Sequence, residues 1–162
     1  MKRVYLSLGS NLGDRAAQLR TALARLPAAG IEVRQISSFY QTEPVDFLAQ
    51  RRFVNCVAEV ETDLMPLQLL TALQGVERAM GRRRGVSKGP RPIDIDILLY
   101  ENAIVRSATL TIPHERMSER RFVLIPLREL AGELRHPRTR RTVAEMLEET
   151  PDRSQVVRLR AE

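Results

Sequence analysis

The sequence predicts an α+β fold, because strand-like and helix-like patterns alternate along the chain. Residues 4–8 and 93–100 alternate side chains to two faces as strands do. Leucines recur at helical spacing in residues 15–26, and Pro66 stands where a proline opens a helix. With two strands between these helices, the order is the β-α-β-β-α-β order of a ferredoxin-like core. We expect a mainly antiparallel sheet, helices packed on it, and C-terminal additions.

The first half of the chain supplies three of the predicted strands. The first runs into a polar turn at residues 9–14, and its helix ends near Gly30. The second occupies residues 31–40 and is broken at Pro44. After a loop, residues 53–61 form the third, with one clearly apolar face. On its other face Asn55 either hydrogen-bonds a ligand or faces solvent.

The second half contains a helix over residues 66–80, an arginine-rich loop over 82–89 and the strand that begins at Ile93. Glu101 and Asn102 could then turn the chain into a hairpin. A helix that begins at Phe122 is predicted to break at Pro126. The remaining predicted elements are a short strand, a short amphipathic helix and an edge strand, at residues 110–112, 142–149 and 156–159.

Length and composition predict one domain over residues 1–162, with 43% hydrophobic residues. No apolar run approaches the ~20 residues that span a bilayer, and the first residues lead into a strand rather than a signal core. The single cysteine, Cys56, cannot form an internal disulfide. We therefore expect a cytoplasmic protein that does not bind membranes, and a monomer.

The strongest chemical signal is Gly-Pro-Arg-Pro-Ile-Asp-Ile-Asp-Ile-Leu-Leu-Tyr at residues 89–100. Alternation places Asp94 and Asp96 on one strand face, where their charges repel unless a positive group lies between them. Mg²⁺ suits this role, because it binds one or two carboxylates together with phosphate oxygens. The alternative is an edge strand that shows two acids to water. Arg91 and the arginines at residues 82–84 favour a metal and phosphate site.

The net charge of +6, from 26 Lys and Arg against 20 Asp and Glu, suits an anionic partner. The arginine-rich loop directly before the acidic strand suits a lid over phosphates, whereas a solvated hinge needs no three arginines. The glycines at residues 9–13 lack the lysine of a Walker motif, so they are interpreted as a structural turn. His114 is either structural or catalytic.

Together the motifs resemble those of the 6-hydroxymethyl-7,8-dihydropterin pyrophosphokinase family over nearly the whole chain. Each motif alone is weak, but their joint order and spacing are specific. They are Leu-Gly-Ser-Asn-Leu-Gly-Asp at 8–14, Ser-Ser-Phe-Tyr-Gln-Thr-Glu-Pro at 37–44, Phe-Val-Asn at 53–55, Glu77 with Gly-Arg-Arg-Arg at 81–84, Gly-Pro-Arg-Pro-Ile-Asp-Ile-Asp-Ile-Leu at 89–98, and Pro-His at 113–114 followed by Arg-Arg-Phe at 120–122.

The resemblance implies transfer of pyrophosphate from ATP to the hydroxymethyl group of the reduced pterin, with release of AMP, in folate biosynthesis. It implies two Mg²⁺ ions that enter with ATP and are bound by Asp94 and Asp96. The catalytic residues implied are Arg82, Arg84, Arg91, Asp94 and Asp96. The implied ATP contacts are Gln74, Glu77, Arg82, Arg84, Arg91, Ile97, Thr111, His114 and Arg120.

On the pterin side the resemblance implies contacts from Thr42, Pro44, Val45, Phe53, Asn55, Asp94 and Phe122. An asparagine has both a donor and an acceptor for the ring edge, and two phenylalanines can sandwich the flat ring. The chain departs from the family pattern in the lid: Lys88 stands where an aromatic residue is common, and the segment between Arg84 and Gly89 is a residue short.

Two other functions fit parts of the sequence. A basic ferredoxin-like module could bind nucleic acid, but it would need an aromatic-rich strand, and only 4% of the residues are aromatic. A different Mg-dependent nucleotidyltransferase could combine Gly-Ser with Asp-x-Asp, but in such enzymes these motifs lie close together. Here they stand at residues 9–10 and 94–96. We therefore expect ATP and the pterin as partners, and no nucleic acid.

Overall fold

The structure is a computed structural model that describes residues 1–42, 52–82 and 91–160. Its elements follow the predicted order through the core and continue with short elements at the C-terminal side. They are β1 (Lys2–Ser10), α1 (Arg15–Arg25), β2 (Ile31–Ile36), β3 (Tyr40–Thr42), β4 (Phe53–Thr62), α2 (Pro66–Ala79), β5 (Asp94–Tyr100), β6 (Val105–Arg106), β7 (Thr111–Ile112), α3 (Arg121–Ala131), α4 (Val143–Glu149) and β8 (Val156–Arg158).

The main sheet confirms the predicted ferredoxin-like α+β core. Its strand order is β5-β1-β4-β3-β8, and β2 also pairs with β4. Each of these pairings is antiparallel. Strand β1 therefore lies between β4 and β5, and the acidic strand β5 lies at one edge of the sheet.

Apolar residues cover both faces of this sheet. Leucines of α1 and α2 pack on one face with Cys56 and Ile95, as the predicted apolar face of the third strand requires. On the opposite face Val57 of β4 is fully buried beneath apolar residues of α3 and α4. The sequence predicted one core face for β4, but both faces are buried because the C-terminal helices cover the second one.

The prediction of one strand over residues 31–40 is wrong, because residues 37–39 separate β2 from β3. At this break the side-chain hydroxyl of Ser37 takes the place of a backbone carbonyl in the pairing with β4. Its N–H donates to the carbonyl of Val57 at 2.9 Å, and its Oγ accepts the N–H of Val57 at 2.9 Å. The partner of Ser37 lies twenty residues away, so local periodicity carried no signal of the break.

The predicted break at Pro126 is also wrong, because α3 continues through this residue. A proline inside a helix costs about 3 kcal/mol. The helix buries Val123, Leu124 and Leu127 against the sheet, and each such side chain contributes about 1.5–3 kcal/mol. Tertiary burial therefore outweighs the local cost of the proline.

The predicted hairpin after Tyr100 does not form. The N–H of Glu101 donates to the carbonyl of Arg3 at 2.9 Å, so Glu101 continues the contact with β1. Its positive φ of 47° then turns the chain away from β5. Consequently β6 pairs with β7 in a separate two-stranded sheet. In the described part of the chain, no helix is long and apolar enough to cross a membrane.

Candidate functional site

Three strands meet in one rung at the end of the sheet that carries the candidate site. Gly9 on β1 lies opposite Asn55 on β4 and opposite Asp94 on β5. These residues share a face with Val57, which is the face that α3 covers. A Cβ added to Gly9 would lie 2.6 Å from Asn55 Nδ2. The absence of a side chain at Gly9 therefore allows the Asn55 amide to approach β1.

Two arginines bind the carboxylate of Asp94, one at each oxygen. Arg82 Nη1 lies 2.5 Å from Oδ1, and Arg91 Nη1 lies 3.0 Å from Oδ2. Arg82 comes from the segment after α2, whereas Arg91 precedes β5. The structure thus brings three of the predicted catalytic residues together, and the two arginines concentrate positive charge beside the acidic strand.

Glu77 joins α2 to the acidic strand. Its Oε2 accepts the N–H of Ile95 at 2.8 Å and also accepts from Arg82 Nη1 at 2.7 Å. Because β5 is an edge strand, Glu77 satisfies a backbone donor on the side that no strand covers. Burial raises the pKa of Glu77. Gln74 lies three residues earlier on the same helix and is half-buried.

Asp96 lies two residues along the same face of β5, opposite Ser7. Its side chain keeps 41% of its surface exposed, and its Oδ2 is 4.0 Å from His114 Nε2. Desolvation and the negative charge of Asp94 raise the pKa of Asp96 to about 7. This carboxylate therefore occupies a place where a cation would lower its free energy.

His114 faces Asp96 with one defined ring nitrogen. The ring Nδ1 accepts the backbone N–H of Arg116 at 3.1 Å. The backbone N–H of His114 donates to the carbonyl of Leu98 at 2.9 Å. Burial, and then the charge of Arg120, lower the pKa of His114, so the ring is neutral at pH 7. With Nδ1 as acceptor, we assign the proton to Nε2, the nitrogen that faces Asp96.

Arg91 and Arg120 each keep a polar atom without a partner among the described residues. The Nε atoms of both side chains are buried and have no hydrogen-bond acceptor there. The guanidinium of Arg120 also lies 5.4 Å from the centre of the Phe122 ring. Buried guanidinium donors without an acceptor suit an anionic ligand, because they bind phosphate oxygens in the plane of the group.

Asn55 is buried, with 4% of its surface exposed, so the alternative of a solvent-facing asparagine is excluded. Its Oδ1 accepts the hydroxyl of Thr42 at 2.7 Å. Phe53 lies two residues earlier on the same face of β4, and Phe122 is the second residue of α3 on that face. Both phenylalanines are half-buried. An amide and two aromatic side chains therefore line the same side of the sheet.

Some predicted residues lie away from this group or outside the described residues. The side chain of Ile97 is buried with the α1 and α2 cluster on the opposite face. Thr111 is half-buried on β7, next to β5. Pro44, Val45 and Arg84 fall outside the described residues, as do residues 83–89 of the segment predicted to form the lid.

The sequence did not identify Gly9 or Asn11 as site residues. Asn11 Oδ1 accepts the N–H of Arg91 at 2.6 Å, and the N–H of Asn11 donates to the carbonyl of Arg91 at 3.1 Å. The turn after β1 thereby fixes the backbone just before β5. The spacing of Asn11 and Arg91 in the sequence gave no signal of this pairing, because eighty residues separate them.

The donor set at this edge fits Mg²⁺ that enters with a polyphosphate. No cluster of three or more His, Cys, Asp or Glu residues suited to a metal occurs within residues 1–42, 52–82 and 91–160. Asp94 and Asp96 supply two carboxylates on one face, and Mg²⁺ usually takes one or two carboxylates with water and phosphate oxygens. Desolvation, and then the negative charge of Asp94, raise the pKa of Asp96, and a cation bound here would favour the ionised form of this carboxyl.

Comparisons with known proteins give a consistent result. A family model described as 7,8-dihydro-6-hydroxymethylpterin-pyrophosphokinase matches residues 5–132. The 2-amino-4-hydroxy-6-hydroxymethyldihydropteridine pyrophosphokinase of Bacillus subtilis is 44% identical over 131 residues, which are 80% of this chain and 78% of that protein. The folic acid synthesis protein fol1 of Schizosaccharomyces pombe is 46% identical over 98% of this chain, but the chain spans only 21% of that protein.

Solved structures agree on the fold. The crystal structure of wild-type Plasmodium falciparum HPPK-DHPS with pteroate covers 91% of this chain with a TM-score of 0.74. This chain corresponds to 44% of the Plasmodium chain, and the sequences are 14% identical. At that identity the similarity shows the fold alone.

Proposed function

We propose that this chain, which belongs to the 7,8-dihydro-6-hydroxymethylpterin-pyrophosphokinase family, transfers pyrophosphate from ATP to the hydroxymethyl group of 6-hydroxymethyl-7,8-dihydropterin and releases AMP. The rung of Asn55, Gly9 and Asp94 is the observation that carries this proposal. Two strand spacings separate Asn55 from Asp94, which is about 10 Å. That length suits a flat ring at Asn55 whose reacting oxygen points towards phosphates beside Asp94.

The proposed nucleotide side combines the acidic pair with the arginines. Asp94 and Asp96 would hold Mg²⁺, which would supply charge neutralisation and alignment of the triphosphate. Arg91 and Arg120 would donate their buried Nε–H groups to phosphate oxygens, since these donors have no acceptor among the described residues. Neutral His114 would donate from Nε2, so it adds a hydrogen bond without adding charge.

Glu77 would act by position rather than by contact with phosphate. It holds Arg82 at the edge of β5 while Asp94 binds the same guanidinium nitrogen. A phosphate that approaches Arg82 would therefore meet a side chain whose rotamer is already fixed. Fixed charges of this kind lower the cost of reorganisation when negative charge shifts during transfer.

The proposed pterin side would bind the ring through hydrogen bonds at its edge and through stacking on its two faces. The hydroxyl of Thr42 fixes the amide of Asn55, so its Nδ2 and the second lone pair of Oδ1 would meet the ring edge. Phe53 and Phe122 would stack on the faces of the ring. No general base is assigned, because positioning and charge supply most of the catalysis in loose phosphoryl transfer.

Incubation of the protein with Mg·ATP and the hydroxymethyl pterin tests this function. We expect AMP and the pterin product in equal amounts, with no AMP when the pterin is omitted or when Mg²⁺ is chelated. Glu148→Gln is a matched control, because Glu148 is an exposed carboxylate of α4 and lies outside the site. Formation of ADP, or AMP release that does not depend on the pterin, would overturn the proposal.

A further inference from the structure

The C-terminal segment, defined here as residues 152–159, lies beyond residues 5–132 that the family model matches. It nevertheless contacts the elements that carry the proposed pterin residues. Its strand β8 pairs with β3, with Val156 opposite Thr42 and Arg158 opposite Tyr40. The N–H of Leu159 then donates to the carbonyl of Phe39 at 2.8 Å. The free edge of β3 is thus covered along the whole strand.

The same segment begins at the first turn of α3. Asp152 Oδ2 accepts the N–H of Arg121 at 2.7 Å, and its Oδ1 accepts the N–H of Ser154 at 2.9 Å. In return Arg121 Nη1 donates to the carbonyl of Ser154 at 2.8 Å. Arg120, the N-cap residue, makes no capping hydrogen bond with its own side chain. Asp152 therefore caps α3 from a distant part of the sequence, at the helix end where a negative charge is favourable.

These contacts converge on the pterin half of the site, defined as the part that would bind the pterin ring. The capped turn carries Phe122, and β3 ends at Thr42, whose hydroxyl fixes Asn55. A further contact joins Gln155 to Arg52 Nη1 at 3.4 Å, directly before Phe53. One short segment thus contacts β3 and α3 and a residue next to β4, and these three elements would surround the ring.

We propose that the C-terminal segment sets the geometry of the pterin half, and that Asp152 is its positioning residue. This inference rests on the proposed function. Asp152 touches no substrate in this account. It acts by holding the first turn of α3, and with it the Phe122 ring, at a fixed place relative to β3. Because aromatic stacking needs a defined separation of the two rings, loosening this turn weakens pterin binding before it weakens nucleotide binding.

Steady-state kinetics of the full-length chain test the proposal, with AMP formation as readout and each substrate varied in turn. The variants are Asp152→Ala, Asp152→Asn and the control Glu148→Gln, whose side chain lines a surface cavity together with Asp152 and Arg121. For Asp152→Ala we expect a KM for the pterin raised about tenfold, with kcat and the KM for ATP within about threefold of wild type. The pterin KM of Asp152→Asn should lie between those of the wild type and Asp152→Ala, because the amide oxygen of the asparagine can still accept the N–H of Arg121.

A purely structural role would lower the melting temperature without separating the two KM values. The proposal is overturned if Asp152→Ala leaves the pterin KM within about twofold of wild type, or raises both KM values equally. If Asp152→Ala does not fold, Asp152→Asn decides by the same comparison. A wild-type chain that forms no AMP would instead overturn the proposed function, so the two failures are distinguishable.

Discussion

Gly9 determines how closely the Asn55 amide lies to strand β1. No other residue type leaves room there, because a Cβ would stand 2.6 Å from Asn55 Nδ2. The amide also accepts the hydroxyl of Thr42, so it cannot retreat without losing that bond. The sequence showed this glycine only as part of a turn, since its opposite partners are known only from the strand register.

Gly9→Ala should weaken pterin binding about tenfold while ATP affinity changes by less than about twofold, because the added methyl displaces Asn55. Calorimetry with each ligand separately measures the difference. Gly75→Ala is the matched control: a Cβ on Gly75 meets no atom within 4 Å, and alanine favours the α2 helix. Equal losses for both ligands, or no loss for the pterin, would contradict the role assigned to Gly9.

Asp96 carries a charge that the ligand-free fold does not favour. Its pKa is raised to about 7, above the ordinary value of 3.8, by desolvation and by Asp94. The folded state therefore binds a proton more tightly than the unfolded chain does between these two values. It follows that the contribution of Asp96 to stability becomes less favourable as pH rises through this interval, and is constant above it.

Asp96→Asn should therefore stabilise the ligand-free protein at pH 8 by about 1–2 kcal/mol, a value discounted because the side chain is partly exposed. The gain should be much smaller near pH 4, where the carboxyl of the folded wild type is protonated and that of the unfolded chain is only partly ionised. Urea unfolding at the two pH values measures this. Glu148→Gln controls for loss of a negative charge. A gain that is the same at both pH values would show that Asp96 is not the cause.

At the level of elements, the carboxylate of Glu77 adds a hydrogen bond between α2 and β5 to the apolar packing that these two elements share. Glu77 accepts from Ile95 and from Arg82 with the same oxygen. The sequence placed Glu77 near the nucleotide only through the family resemblance. Helical periodicity gave no indication that this side chain would complete the edge of the sheet, because the contact joins residues eighteen positions apart.

Glu77→Ala should lower the free energy of unfolding by about 1–3 kcal/mol, since it leaves the N–H of Ile95 without its acceptor. Glu77→Gln should cost less than about 1 kcal/mol, because its amide oxygen still accepts that hydrogen bond. Urea denaturation of both variants checks the difference. If the two substitutions cost the same, the hydrogen bond to Ile95 is not what joins these elements.

The sequence correctly predicted those elements whose core-facing residues repeat at a short, regular spacing. The period-two strands β1, β4 and β5 and the leucine-rich α1 were confirmed, because their core faces repeat within a few residues. The errors arose where a distant contact decides the backbone. Ser37 breaks a strand by bonding to Val57, and α3 survives Pro126 through burial against the sheet. The assignment of one domain, a monomer and the cytoplasm stays a prediction.

Over the whole molecule, the sheet brings together residues that the sequence spreads over eighty positions, from Thr42 to Phe122. Thr42 and Asn55 lie on the β3–β4 side of β1, the acidic pair lies on the β5 side, and Arg120 and Phe122 enter from α3. The family resemblance identified most of these residues. Their relative placement depends on strand register and helix packing, which the sequence pattern does not contain.

Transfer of pyrophosphate with release of AMP requires attack at the β-phosphorus of ATP, and the proposed site would direct the pterin oxygen to that atom. The most direct measurement follows ATP labelled at that phosphorus in the presence of Mg²⁺ and the hydroxymethyl pterin. We predict that the label moves entirely into the pterin product and that the nucleotide released is unlabelled AMP. Label that remains in the nucleotide as ADP would show transfer of the γ-phosphoryl group alone and would contradict the account.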